Sequence, residues 1–396
     1  MLIHKPLVWS TVLVCAALLA GCGGGGNAAA TAGLPTEAAL SVQAVLDEKI
    51  FSDASLSASG KQSCVGCHSA ETAHGPANGL AVQLGGALSD QQGKRASPSI
   101  DYQSFNSAFF FAADGTPTGG FFLDGRAGSL KEQAGQPLLG STEMANASKA
   151  EVVEKLARAP YAEEFKRVFG ADIFKRPDDA FERITLALQQ YQREDIDFRP
   201  FTSKYDEFLR GNVALSAVEL RGLALFNNPG KGNCAACHPS AKGADGSLPL
   251  FTDFSYDNLG VPRNPAIARN TDAGYFDLGL CERPELAARG DLCGAFKVPT
   301  LRNVARRQVF FHNGAFTTLK DALTFYVQRD TQPQKWYPLN ADGSVNKFDD
   351  LPAKYRGNVN TTEAPYNRRP GEAPALNDAE IDELIAFLKT LSDGYR

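Results

Sequence analysis

The chain has 396 residues, 43% of them hydrophobic and 21% charged, with 40 basic and 45 acidic side chains for a formal charge of −5. This is an ordinary globular composition, with room for two domains and a full core. No basic cluster is long enough to follow a nucleic-acid backbone, which argues against a nucleic-acid partner.

The first residues read as an address. Lys5 precedes an apolar run, Leu7 to Ala20, that ends in Leu19-Ala20-Gly21-Cys22, so residues 1–21 are a signal peptide with a bacterial lipobox. The run is too short for a membrane span, and a plain secretory signal would leave Cys22 unused. Cys22 is therefore the expected lipidated terminus, and Gly23 after it implies the outer membrane. Residues 22–37, rich in Gly and Ala, form a flexible tether. The remainder of the chain is expected in the periplasm.

Beyond the tether the chain reads as a diverged tandem repeat. A helix carrying Val42, Val45, Leu46, Ile50 and Phe51 leads through a loop into Cys64-Val65-Gly66-Cys67-His68. A second helix with Leu220, Leu223, Leu225 and Phe226 leads through Asn227-Asn228-Pro229-Gly230 into Cys234-Ala235-Ala236-Cys237-His238. The pentad C-x-x-C-H is the attachment sequence of a c-type haem: two thiols on one turn form thioethers with the vinyl groups, and the adjacent imidazole falls under the iron. A zinc site built from both Cys pairs would not need a His after each. Two covalent haem c groups are expected, ligated by His68 and His238.

Between the pentads, Glu151–Phe169 and Asp178–Arg193 carry apolar residues three and four apart and read as packing helices. A boundary falls near residues 200–214, giving an N-terminal haem domain at 38–205 and a C-terminal one at 206–396. Asn377–Ser392 closes the chain as a capped amphipathic helix. The fold class is all-α, two cytochrome c-like domains with long loops and little β. Of the eight Cys, Cys15 leaves with the signal peptide, and Cys281 and Cys293 remain after lipid and haem are assigned. In an oxidising compartment they are expected to form a disulfide closing a short loop, worth about 3 kcal/mol.

Further motifs carry a resemblance. Phe122-Leu123-Asp124-Gly125-Arg126, Glu132-Gln133-Ala134, Glu143-Met144, Val298-Pro299-Thr300-Leu301-Arg302-Asn303-Val304 and Phe311-His312-Asn313-Gly314, taken with the pentads, resemble the bacterial di-haem cytochrome c peroxidase and MauG family. The resemblance implies that hydrogen peroxide reacts at the N-terminal haem beneath Gln133 and Glu143. A carboxylate can take a proton from one peroxide oxygen and return it to the other; Gln133 can hold the peroxide but not shuttle the proton. It also implies a sixth ligand to the second iron fourteen residues after His312, which is Tyr326. A Met stands there in most peroxidases of the family, a Tyr in its MauG- and MbnH-like branch. A phenolate favours ferric and higher iron.

The match has departures. The removable distal His of many family peroxidases maps by spacing to Leu88, and His74, six residues after His68, reads as a loop His near the proximal ligand. Leu123 stands where a Trp often precedes Asp-Gly-Arg. The inter-haem calcium of relatives maps to Ala96 and to carbonyls of Arg307 and Val309; Ala96 offers no side-chain oxygen and an arginine charge opposes Ca²⁺. The resemblance then implies a di-haem enzyme that uses hydrogen peroxide to reach a high-valent iron state and oxidises residues of a partner protein, Trp among them. The alternatives are a cytochrome c peroxidase drawing electrons from a small cytochrome or copper protein, and a non-enzymatic di-haem electron carrier.

Overall fold

The computed structural model describes residues 40–396; the signal segment, Cys22 and the tether lie outside the described residues. The first helix, α1 (Val42–Ser52), is started by Ser41, whose hydroxyl accepts from the Ala44 N–H at 3.1 Å. It buries Ala44, Leu46, Asp47, Ile50 and Phe51, while Val42 and Val45, assigned to its apolar face from spacing, are exposed. A single turn, α2 (Cys64–Cys67), carries the first pentad.

Then come α3 (Leu130–Leu139), α4 (Lys149–Leu156), α5 (Ala162–Phe169) and the long α6 (Pro177–Glu194). The single helix expected over Glu151–Phe169 is in fact α4 and α5. Pro160 divides them, because it has no N–H to donate and disfavours helix at the residue before it. The C-terminal half runs through α7 (Lys204–Arg210), α8 (Ala217–Asn227), α9 (Leu319–Gln328) and α10 (Asp378–Lys389). Capping boxes start α7, α8 and α10, at Ser203, Ser216 and Asn377.

Among the described residues the β structure is three antiparallel two-residue ribbons: β1 (Leu84–Gly85) with β2 (Gln91–Gln92), β3 (Phe110–Phe111) with β4 (Pro117–Thr118), and β5 (Tyr256–Asp257) with β6 (Phe296–Lys297). The architecture is thus helix-rich with small sheets.

Two large apolar cores divide the chain. One draws on residues from Leu46 to Phe198, chiefly α1, α3, α4 and α6; the other runs from Tyr205 to Leu391 and is built on α8, α9 and α10. Gly222 lets α8 lie against α10, since a Cβ there would overlap the Glu383 carbonyl. A smaller core surrounds the Cys281–Cys293 disulfide, which the structure contains.

Polar side chains join the two halves. Asn303 Nδ2 donates to Asp101 Oδ2 at 3.1 Å and to Asp393 Oδ2 at 2.8 Å, and the Tyr102 hydroxyl donates to the same Asp393 oxygen at 2.7 Å. Arg95 Nε and Nη2 clasp Asp277 at 2.6 Å each. The described residues accordingly belong to one compact unit.

Candidate functional site

A cavity of about 640 Å³ is lined by both pentads. In each, the imidazole is oriented from behind: Nδ1 of His68 lies 2.9 Å from the His74 carbonyl oxygen, and Nδ1 of His238 lies 2.7 Å from that of Phe251. A ring that donates Nδ1–H to a carbonyl leaves its Nε2 lone pair free for a metal. Burial, above other influences, lowers both imidazoles, His68 to about 4, so both are neutral and able to ligate.

Burial also pushes the four thiols up, Cys67 to about 11 and Cys64, Cys234 and Cys237 to about 12. Protonated thiols beside a large cavity suit thioether bonds to a porphyrin. Among the described residues no three His, Cys, Asp or Glu side chains converge as a metal cluster, so the two Cys pairs do not meet in a four-thiolate zinc site. The donor set fits two c-type haems.

On the first pentad's side, Gln133 and Glu143 line the same cavity as Cys64, Cys67 and His68. Ser129 caps α3 by accepting from the Glu132 N–H at 3.1 Å, and α3 buries Leu130, Ala134 and Leu138, which turns Gln133 to the cavity. Glu143 follows in a tight turn held by its own N–H to the Gly140 carbonyl (2.9 Å) and by its carbonyl to the Gly86 N–H (2.8 Å). Gly140 leaves room there for the Glu143 carboxyl, since a Cβ would overlap Oε2 in its present position. The Glu143 carboxyl faces the cavity but has protein around it. Burial raises it above the usual carboxylate range, against the opposing charge of Arg126.

On the second pentad's side, Tyr326 on α9 lines the cavity with Cys234, Cys237 and His238. Its ring lies 5.4 Å from Phe311 and 5.8 Å from Tyr366. Burial first, then the Asp257 carboxylate, raise the Tyr326 phenol well above its ordinary value. α9 buries Ala322, Thr324, Phe325 and Val327.

The remaining sequence positions separate clearly. His74 points its ring away from the cavity's centre, Nδ1 2.7 Å from Asp101 Oδ1 and stacked at 4.0 Å on Phe198, while its carbonyl holds His68. Leu88 is 79% exposed. Leu123 lines the cavity and accepts from the Lys297 N–H at 2.8 Å. His312 stacks on Phe296 at 3.7 Å, and Trp336 packs 5.6 Å from both Phe316 and Phe325. Sequence reasoning missed Tyr366 and the side chain of Arg307, both on the cavity wall; neither sits in a motif whose spacing has a chemical reason.

Two haem-attachment turns opening on one cavity in a helix-rich fold define a di-haem c-type protein. Comparison with known proteins sharpens this. The model of the di-haem cytochrome c peroxidase family matches residues 41–214. The chain is 35% identical over 361 residues to the methylamine utilization protein MauG of Paracoccus denitrificans, covering 88% of each chain. It is 34% identical over 283 residues to the cytochrome c551 peroxidase of Nitrosomonas europaea, covering 71% of each. The crystal structure of the diheme peroxidase BthA from Burkholderia thailandensis superposes with a TM-score of 0.81 at 39% identity, covering 89% of this chain and 86% of that one.

The chain belongs to the di-haem cytochrome c peroxidase and MauG family. It is a peroxidase-type oxidoreductase that uses hydrogen peroxide and carries two covalently bound c-type haems.

Proposed function

We propose that this protein is a MauG-like enzyme that spends the oxidising power of hydrogen peroxide on residues of a partner protein. The observation that carries the reading is Tyr326, whose phenol lies in the cavity with Cys234, Cys237 and His238 where a thioether would suit electron uptake from a high-potential donor. Each half of the chain would form one cytochrome c-like domain around its pentad, at 38–205 and 206–396. The haems, when bound, supply the iron centres at which peroxide is reduced and from which two oxidising equivalents are withdrawn.

The chain's own residues do the rest. Gln133 would hold the peroxide through its carboxamide, and the Glu143 carboxylate would take a proton from one peroxide oxygen and return it to the other, which leaves as water when the O–O bond breaks. The two electrons drawn from the substrate through the haems, with two protons, turn the remaining oxygen into a second water. A carboxyl raised by burial suits both halves of that transfer. Tyr326 would hold the second iron through its phenolic oxygen, with His238 as the other protein ligand. A phenol that burial holds protonated gives up its proton when a metal cation lies beside it. The enzyme works in the periplasm, tethered to the outer membrane through Cys22.

The test is donor turnover and spin state of the holoprotein. Peroxide consumption with a reduced small c-type cytochrome or a reduced cupredoxin is expected to be slow, and the low-spin ferric EPR signal is expected to change in Tyr326→Phe with both haems still attached. Rapid consumption with either donor, abolished in Glu143→Gln, would overturn the protein-modifying reading in favour of peroxide removal. A low-spin signal unmoved by the substitution would remove Tyr326 as a ligand.

A further inference from the structure

Arg307 is a partly buried cation with no carboxylate partner among the described residues. Its guanidinium reaches the cavity from the segment that comes after the Val298–Val304 motif, yet it stands at the first pentad. A Cβ on Gly75, beside the carbonyl that orients His68, would lie 3.7 Å from Arg307 Nη1. Its one protein hydrogen bond among the described residues runs from Nη2 to the Ser97 carbonyl at 3.2 Å, and none of the ion pairs there includes it. By contrast, Arg95 and Arg302 nearby are clasped by carboxylates. Enclosure alone lowers the Arg307 guanidinium to about 10, and its charge bears on His68.

A guanidinium taken out of water with one carbonyl partner costs several kcal/mol unless a matching anion completes it. Arg307 lines the cavity, where the group implied by the pentad carries ionised propionates. A planar fork of N–H donors is the side chain best shaped for a carboxylate.

We infer that Arg307 is the receptor for a porphyrin propionate at the first haem site, contributed by the C-terminal half of the chain. It thereby fixes the haem's orientation with a permanent charge from across the junction. The pairing stands whether peroxide oxidises a partner protein or a small donor.

The experiment is spectroelectrochemical titration of the holoprotein from pH 5 to pH 8, in wild type, Arg307→Gln and Arg307→Lys. Loss of the fixed charge beside the first haem makes reduction harder. At an effective dielectric near 20, a unit charge about 12 Å away is worth about tenfold in the reduction equilibrium, 59 mV for one electron. Arg307→Gln is expected to show that fall at one haem only. It should also gain a pH-dependent potential as the released propionate takes up a proton on reduction, while Arg307→Lys recovers most of the wild-type value. Potentials that do not move, or that move equally in both variants, would overturn the inference, since a purely structural arginine predicts one or the other. Should Arg307→Gln fail to mature, the crystal structure of the wild-type holoprotein decides. A propionate oxygen within hydrogen-bond distance of Arg307 supports the pairing; a guanidinium facing only water or a free anion refutes it.

Discussion

Arg302 and Asp206 form a two-pronged ion pair, Nη2 to Oδ1 at 2.8 Å and Nη1 to Oδ2 at 3.0 Å, with both side chains almost wholly buried. Asp206 also closes the capping box of α7, accepting from the Ser203 N–H and hydroxyl at 2.9 and 2.7 Å. Arg302 belongs to the Val298–Val304 motif, so this pair pins the loop after β6 to the first helix of the C-terminal half. The guanidinium also lies over the Phe201 ring, 4.4 Å from its centroid.

Removing one partner of such a pair strands the other. Asp206→Ala is expected to cost about 3–5 kcal/mol, read from denaturant midpoints of the holoprotein. Burial by itself would raise the Asp206 carboxyl, but the Arg302 and Ser203 contacts win and hold it below its ordinary value. A carboxyl lowered in the fold stabilises above its unfolded pKa, and that contribution is lost as pH falls through the folded one. Wild-type stability should therefore drop below about pH 4, and the Asp206→Ala curve should be flatter there. A variant within about 1 kcal/mol of wild type at pH 7 would show that the pair is not holding the junction.

In the proposed mechanism, Glu143 gives the activity its pH profile. With its carboxyl raised by burial, and Arg126 only partly opposing, the proton-accepting form disappears at a higher pH than for a free glutamate near 4.3. Below that raised value the rate of peroxide reaction is expected to fall tenfold per pH unit. Glu143→Gln should slow the reaction by about 10²–10⁴ and erase the acid limb, and Arg126→Gln should shift the limb to higher pH. Stopped-flow mixing of the ferric holoprotein with peroxide across pH 4–8 checks all three. An acid limb that persists in Glu143→Gln would assign the proton transfers to another group.

What the sequence made legible was whatever chemistry ties to local spacing. The pentads could be read outright because two thioethers and an axial imidazole on one turn admit only one order of residues. Asn377 marks a helix start because a cap is satisfied within a few residues of itself. Glu143, Gln133 and Tyr326 came through resemblance, since nothing local says that a turn after α3, or the eighth residue of α9, faces a cavity. Side-chain spacing also misjudged Val42, Val45 and Leu220: it finds an apolar stripe but not whether a partner covers it, and these three are exposed. Pro160 was a break that could have been read and was overridden by the pattern around it. The Arg307 side chain lay beyond reach, because its hydrogen bond to the Ser97 carbonyl joins positions distant in sequence.

Asp47 is the clearest case of a residue at odds with its surroundings. It sits on the buried face of α1 against α6, wholly enclosed, and neither carboxyl oxygen has a hydrogen-bond partner. Burial first, then the Glu194 carboxylate, raise its pKa to about 8. The sign of that shift sets the linkage. Below about pH 4 both the folded and the unfolded carboxyl are protonated and the residue costs nothing by titration. From about pH 4 to pH 8 the unfolded chain ionises while the folded one retains its proton, so stability falls steadily as pH rises and levels off only above pH 8. Asn in its place has nearly the same shape and no proton to lose. Asp47→Asn is therefore expected to match wild type near pH 4 and to exceed it by several kcal/mol at pH 8, up to about 5 at 1.36 kcal/mol per pKa unit, in urea midpoints measured across that range. If the two curves run parallel instead, Asp47 is charged in the fold and a partner for it has to be sought between α1 and α6.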